Sequence, residues 1–287
     1  MGFRTVETIA NDLYAPSPDD LLFHYTSLGA MQSILRERSL WATDIRFFSD
    51  AAELMHLMHA LHHGIRSRNG NIVLQQFRDW LSVRLPSGNM VFAVSFSAQG
   101  NLLSQWRAYC PPAKGVSLGF DPAEIVRLAS EQSFSVGRCL YDRKEQEALV
   151  NEILDSVLSL AVAMGQDTKR HPTQSYHSVF ETVETPLLRI GALIKHPAFR
   201  EEFEWRAVSP VLTDFVNSGI RYREGTSTLV PYLDFHLADS TSAVRLSSVF
   251  VGPTPHVNLA IDAISRCLSG HGPSLGVFSS GIPYRTW

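Results

Sequence analysis

The chain has 287 residues, of which 45% are hydrophobic and 18% charged, so it has the apolar material for a sizeable core and too little charge for a disordered chain. A formal net charge of -3 gives no overall attraction to phosphate and leaves nucleic acid neither indicated nor excluded. Cys110, Cys139 and Cys267 are far apart and odd in number, which excludes a disulfide framework and paired zinc knuckles and fits a reducing, cytoplasmic setting. The N-terminus turns polar after Val6, without the apolar run of a signal peptide. The most apolar stretch, 91–106, carries too many Ser, Gln and Asn side chains to cross a bilayer unaided, so no membrane association is expected. No linker divides the chain, so one α+β domain over 1–287 is expected, with 1–20 as a peripheral segment.

In chain order, Leu21 to Thr26 is apolar and aromatic before it turns polar, as in a strand ending at a loop. Ser27 is placed to cap a helix whose apolar stripe is Leu28, Met31, Ile34 and Leu35. Asp50 precedes a second helix over 51–65, with Leu54, Leu57, Met58 and Leu61 on one face, and a third follows over 73–83. Strands are expected at 90–96 and 115–120, the latter leading into a helix that starts at Asp121-Pro122. The longest amphipathic helix is expected over 145–164. A polar loop at 166–174, a helix running into Leu193 and an alternating strand at 203–208 come next. Strands at 244–251 and 275–279 flank a helix over 257–268.

Three segments set polar groups on or beside strands, where a strand end holds side chains rigidly at a cleft: His24-Tyr25-Thr26, Ser95-Phe96-Ser97 and Glu202-Phe203-Glu204. On an extended backbone Glu202 and Glu204 point to one face. Held close, one of them is expected to have a raised pKa and to be suited to acid/base work or to binding sugar hydroxyls. The same spacing is also found on the wet face of an edge strand.

These segments, with Gln105-Trp106-Arg107-Ala108-Tyr109, Lys114 to Asp121 and Lys195 to Arg206, resemble the bacterial domain-of-unknown-function family 2971 over most of the chain. Their order is similar to that of ADP-ribosyltransferases: a first-strand His or Arg, a Ser-containing strand, then a Glu-x-Glu pair. The resemblance implies a mixed, split β-sheet flanked by helices and an enzyme that uses NAD as substrate. His24 would anchor NAD beside Tyr25 and Thr26, and Ser95 and Ser97 would brace the site. Glu204 would be catalytic, stabilising the oxocarbenium-like charge as nicotinamide departs, while Glu202 positions or deprotonates the acceptor. The acceptor would be a protein, a nucleic acid or water. By analogy, bacterial proteins of this kind look like toxins or phage-defence effectors, and an inhibitor protein is left open as a partner. This sequence departs from the pattern in reading Ser-Phe-Ser for Ser-Thr-Ser and in carrying Thr26 after the first His.

Other segments leave two readings open. Trp106 and Tyr109 are three apart, so on a helix they share a face, either as a stacking platform for a base or as core. Arg206 is either a pyrophosphate clamp or half of a structural salt bridge. His56, His59, His62 and His63 fall at helical spacing but lack the acidic partner of a zincin, so a solvated helix face is preferred and no metal is expected. Gly270-x-Gly272 and Gly276 follow a helix and precede a strand, the reverse of a dinucleotide fingerprint, and read as a connecting loop. A non-enzymatic nucleotide- or partner-binding module built from the same strand ends is the alternative to an ADP-ribosyltransferase, and a metal-dependent hydrolase built on His56, His59 and His63 is a lesser one.

Overall fold

The computed structural model describes residues 4–48, 53–68, 70–164, 176–216, 218–270 and 276–283. Asp50, the loop at 166–174 and Gly272 lie outside them. Nine α-helices occur among the described residues: α1 Val6–Leu13, α2 Leu28–Glu37, α3 Glu53–Ser67, α4 Ile72–Ser87, α5 Leu103–Tyr109, α6 Pro122–Glu131, α7 Arg143–Met164, α8 His177–Gly191 and α9 Val257–Ser269. Ten strands form one mixed sheet: β1 Leu22–Ser27, β2 Ser39–Asp44, β3 Phe92–Ser97, β4 Gly115–Phe120, β5 Ser135–Arg138, β6 Glu204–Val208, β7 Arg221–Glu224, β8 Leu229–His236, β9 Ser248–Val251 and β10 Val277–Ser279.

Local chemistry starts these elements where the sequence indicates. Ser27 Oγ accepts from Ala30 N at 3.1 Å and caps α2, whose residues Met31, Ile34 and Leu35 are buried at helical spacing. Asp121 caps α6 in the same way, with Pro122 supplying a preset φ at the first helical position. The N-terminal segment is helical as well. Val6, Ile9 and Ala10 of α1 are buried in a core shared with α3, α4, α7 and α8.

The helices cover both faces of the sheet. The core with α1, α3, α4, α7 and α8 includes Ala93 and Val208, whereas a second core with α2, α6 and α9 includes Val94, Phe96, Trp205 and Ala207. The period-two alternation of strands explains the sorting, and it also puts Ser95 and Ser97 on the Ala93 face of β3 and Glu204 and Arg206 on the Val208 face of β6. β3 and β6 are antiparallel, with Ser95 opposite Arg206 and Ser97 opposite Glu204.

The other edge of β3 is shared by two strands. β1 meets it at Phe23↔Ser97, and β2 meets it at Thr43↔Ala93 and Asp44↔Phe92. Between those points the strands diverge, β1 towards β4 and β2 towards β8. The sheet is therefore split beside Ser95, which has no strand partner on that edge among the described residues.

Candidate functional site

The split opens into a cleft of about 770 Å³, walled by α2 on one side and by β2 and the β7–β8 turn on the other, with β3 and β6 at its floor. His24, Tyr25, Thr26, Ser95, Ser97, Tyr109, Glu202, Glu204 and Arg206 all reach its lining, so the three segments singled out by sequence converge.

His24 occupies the notch. Its Nδ1 lies 3.0 Å from the Ser95 carbonyl, the backbone group that the split deprives of a ladder partner. A carbonyl only accepts, so Nδ1 carries the proton. Burial pushes the imidazole pKa below its ordinary value, outweighing the opposing effect of that hydrogen bond. A neutral ring protonated on Nδ1 leaves Nε2 as an acceptor, and nothing else among the described residues bonds to it.

Ser97 works through its hydroxyl, which donates to the Glu202 carbonyl at 2.7 Å and accepts from Gln99 N at 3.1 Å. It ties the end of β3 to the turn that carries Glu202. Tyr25 is buried, and its hydroxyl donates to Gln99 O at 2.7 Å and accepts from Leu102 N at 2.9 Å. The Thr26 carbonyl accepts from Cys110 Sγ at 3.3 Å. Both residues line the cleft, and their bonds fix the loop after β3 and the end of α5.

The geometry of the acidic pair departs from the sequence expectation. Glu202 ends a 3₁₀ turn, Pro197–Glu202, and Phe203 follows in the left-handed region at φ 46°, so the strand begins at Glu204 and the pair does not lie on extended backbone. The carboxylates are nevertheless joined, because Lys195 Nζ donates to Glu202 Oε2 and to Glu204 Oε2, each at 2.5 Å. Arg206 Nε adds a bond to Glu204 Oε1 at 2.8 Å, and Arg206 Nη2 one to Glu204 Oε2 at 3.1 Å. The expected rise in pKa is overturned for Glu204. Burial does push it up, but Arg206 and Lys195 outweigh that and hold the carboxyl well below its ordinary range. The two basic and two acidic side chains form an almost solvent-free cluster, the tetrad. Glu202 is the more open of its carboxylates, with 11% side-chain exposure against 6% for Glu204.

Of the two readings of Arg206, the salt bridge is present: the residue is 1% exposed, bonds to Glu204 and donates to the Ala192 carbonyl at 2.8 Å. Trp106 and Tyr109 part company. Trp106 is buried off the cleft, edge-on to Tyr25 at 4.8 Å with its Nε1 donating to Asn101 Oδ1 at 2.9 Å, whereas Tyr109 is exposed at the cleft wall. The histidines of α3 lie apart from the cleft lining. His56 Nε2 is 3.0 Å from Gln146 Oε1, and no cluster of metal-ligating side chains occurs among the described residues.

Sequence reasoning missed Lys195, Trp41 and Arg223. Lys195 sits seven and nine residues before the carboxylates it joins, a relation no periodicity encodes. Trp41 and Arg223 come from β2 and β7, strands whose residues give no clean alternation. Among the described residues no helix is long and apolar enough to cross a membrane. No curated protein and no solved structure matches the chain. Residues 105–207, which run from α5 to β6 and carry Tyr109, Lys195, Glu202, Glu204 and Arg206, match the family described as Protein of unknown function (DUF2971).

Proposed function

We propose that the cleft is an NAD site and that the chain is an ADP-ribosyltransferase-like enzyme acting on a protein or nucleic-acid acceptor, or on water. The observation that carries this reading is the convergence of His24, Ser95, Ser97, Glu202 and Glu204, from separate segments of chain, on one cleft at the split of the sheet. In the reaction the C1′–N bond of the nicotinamide riboside unit breaks, and its electron pair leaves with nicotinamide. The acceptor oxygen or nitrogen then bonds to C1′ and gives up its proton.

Each residue has a task suited to its state. Neutral His24 offers Nε2 to a ribose hydroxyl, while Ser95 and Ser97 hold the notch and the Glu202 turn in place. Glu202, the more open carboxylate, faces the acceptor and can take its proton. Ionised Glu204 supplies negative charge opposite the developing cation in a poorly solvated site, where a fixed charge acts strongly. The test is nicotinamide release from NAD by purified wild type beside E202Q and E204Q, with cell lysate as a source of acceptors and melting curves to establish that each variant is folded. Release that survives intact in folded E204Q removes the catalytic role of that residue.

One observation favours a second reading, a module that binds a nucleotide without cleaving it. Both Glu204 oxygens already accept bonds from Lys195 and Arg206, which leaves that carboxylate tied within the fold. Calorimetry separates the two readings, because a binder holds NAD with no nicotinamide released.

A further inference from the structure

The cations of the cleft are not all alike. Lys195 and Arg206 are ion-paired with Glu202 and Glu204, and Glu37 at the rim pairs with Arg36 at 2.9 Å. Arg223, from β7, also lines the cleft, and no carboxylate lies within ion-pair range of it among the described residues. Its guanidinium rests on the Trp41 ring at 5.2 Å from the centroid, and Nη2 donates to Thr43 Oγ1 at 3.2 Å. Nε is buried without a hydrogen-bond partner.

That arrangement is costly as it stands. A partly buried guanidinium whose Nε–H has no acceptor among the described residues loses hydration there, and burial accordingly lowers its pKa. An anion would supply both the missing charge and the missing acceptor. The guanidinium fork matches the oxygens of a phosphate, and stacking on Trp41 fixes its plane. The adjoining β7–β8 turn, closed by Gly225 N donating to Thr228 O at 2.9 Å, brings the hydroxyl-bearing residues Thr226, Ser227 and Thr228 to the same wall.

We infer that Arg223, set on Trp41 and flanked by the Thr226–Thr228 hydroxyls, is a phosphate-binding subsite that takes the diphosphate of a nucleotide ligand. The inference deepens the NAD reading and rests on it for the identity of the whole ligand, but the subsite can be tested apart from it.

The experiment is calorimetric titration of wild type, R223Q and R223K with ADP and, separately, with NAD, alongside melting curves. Loss of a charge-assisted contact is expected to weaken ADP binding about 10- to 100-fold in R223Q and to flatten its salt dependence. R223K keeps the charge but not the fork, so it is expected to fall between the two, and it carries the comparison if the Gln variant does not fold. Equal ADP affinity in wild type and a folded variant overturns the subsite, as does a wild type that binds neither ADP nor NAD. Equal NAD affinity in wild type and variant also overturns it while leaving the NAD site standing. ADP binding that depends on Arg223, with no NAD binding at all, supports the subsite and removes the NAD reading.

Discussion

His24 Nδ1 donates to the Ser95 carbonyl at 3.0 Å across the notch where β1 and β2 part from each other along β3. A side chain thus replaces the ladder bond that the split removes, and the same bond fixes the tautomer that turns Nε2 towards the role of acceptor. The structural reason for the histidine and its proposed chemical use are one interaction.

Removing the ring tests the structural half. H24A leaves the Ser95 carbonyl without a donor in a partly buried notch, and the expected loss is about 1–3 kcal/mol in urea unfolding. H24N, which retains an N–H donor on a shorter side chain, is expected to lose less. Identical midpoints for wild type and H24A would mean that water replaces the imidazole at no cost.

Acid is expected to destabilise the protein in two stages. The folded His24 pKa lies below the ordinary 6.5, so the unfolded chain takes up a proton first as the pH falls. Stability from the neutral ring is complete above 6.5 and is lost as pH falls through the lower, folded value. Glu204 is depressed below the ordinary 4.5 because Arg206 and Lys195 outweigh the effect of burial, so its contribution is complete above 4.5 and is lost below it. Melting temperature measured against pH should fall first in the histidine range and again in the carboxylate range. Burial lowers the His62 pKa as well, so H24N should show a smaller first fall, and an unchanged first fall in that variant would assign it to another group.

The tetrad is expected to behave as a unit. K195M removes the cation that joins Glu202 and Glu204, and breaking a buried ion pair from one side costs about 3–5 kcal/mol. Adding E202Q removes one of the two carboxylates that Lys195 joined, so the double variant should be more stable than the sum of the single losses allows, by about 0.5–3 kcal/mol. Strict additivity in a denaturant double-mutant cycle would show that the carboxylates do not share the lysine.

The two aromatics of α5 are expected to separate by readout. W106F loses the bond to Asn101 and part of the packing against Tyr25, so its melting temperature should fall while affinity for a nucleotide holds. Y109A removes an exposed ring from the cleft wall, so stability should hold while nucleotide affinity falls about 3- to 10-fold. The opposite pattern in calorimetry and melting curves would put Trp106 at the ligand.

Much of the frame is legible in the residues themselves. Ser27, Asp121-Pro122 and the apolar stripe of α7 carry local signals of cap and period, and these mark α2, α6 and α7. β4 is legible because all of its residues are buried between two neighbouring strands, and a run of such residues stands out. The short strands β5 and β7 and the long β8 are not, because their residues mix polar, charged and aromatic types and they pair only once distant segments meet. At the site, the types and order of His24, Ser97 and Glu204 could be read, but their states could not. A spacing of two between carboxylates suggests mutual repulsion, and only the fold reveals Lys195 between them and Phe203 turning the backbone. Arg223 stands out only because no carboxylate lies within ion-pair range of it among the described residues, which is a property of the folded chain.

Hydrogen exchange with and without NAD tests most directly whether these segments form one NAD site. NAD should slow exchange together in the amides of β1, the end of β3, the 195–206 segment and the β7–β8 turn, and leave α9 and β10, which lie far along the sheet, unchanged. Exchange that NAD does not alter, or protection confined to elements away from the split beside Ser95, would contradict the account.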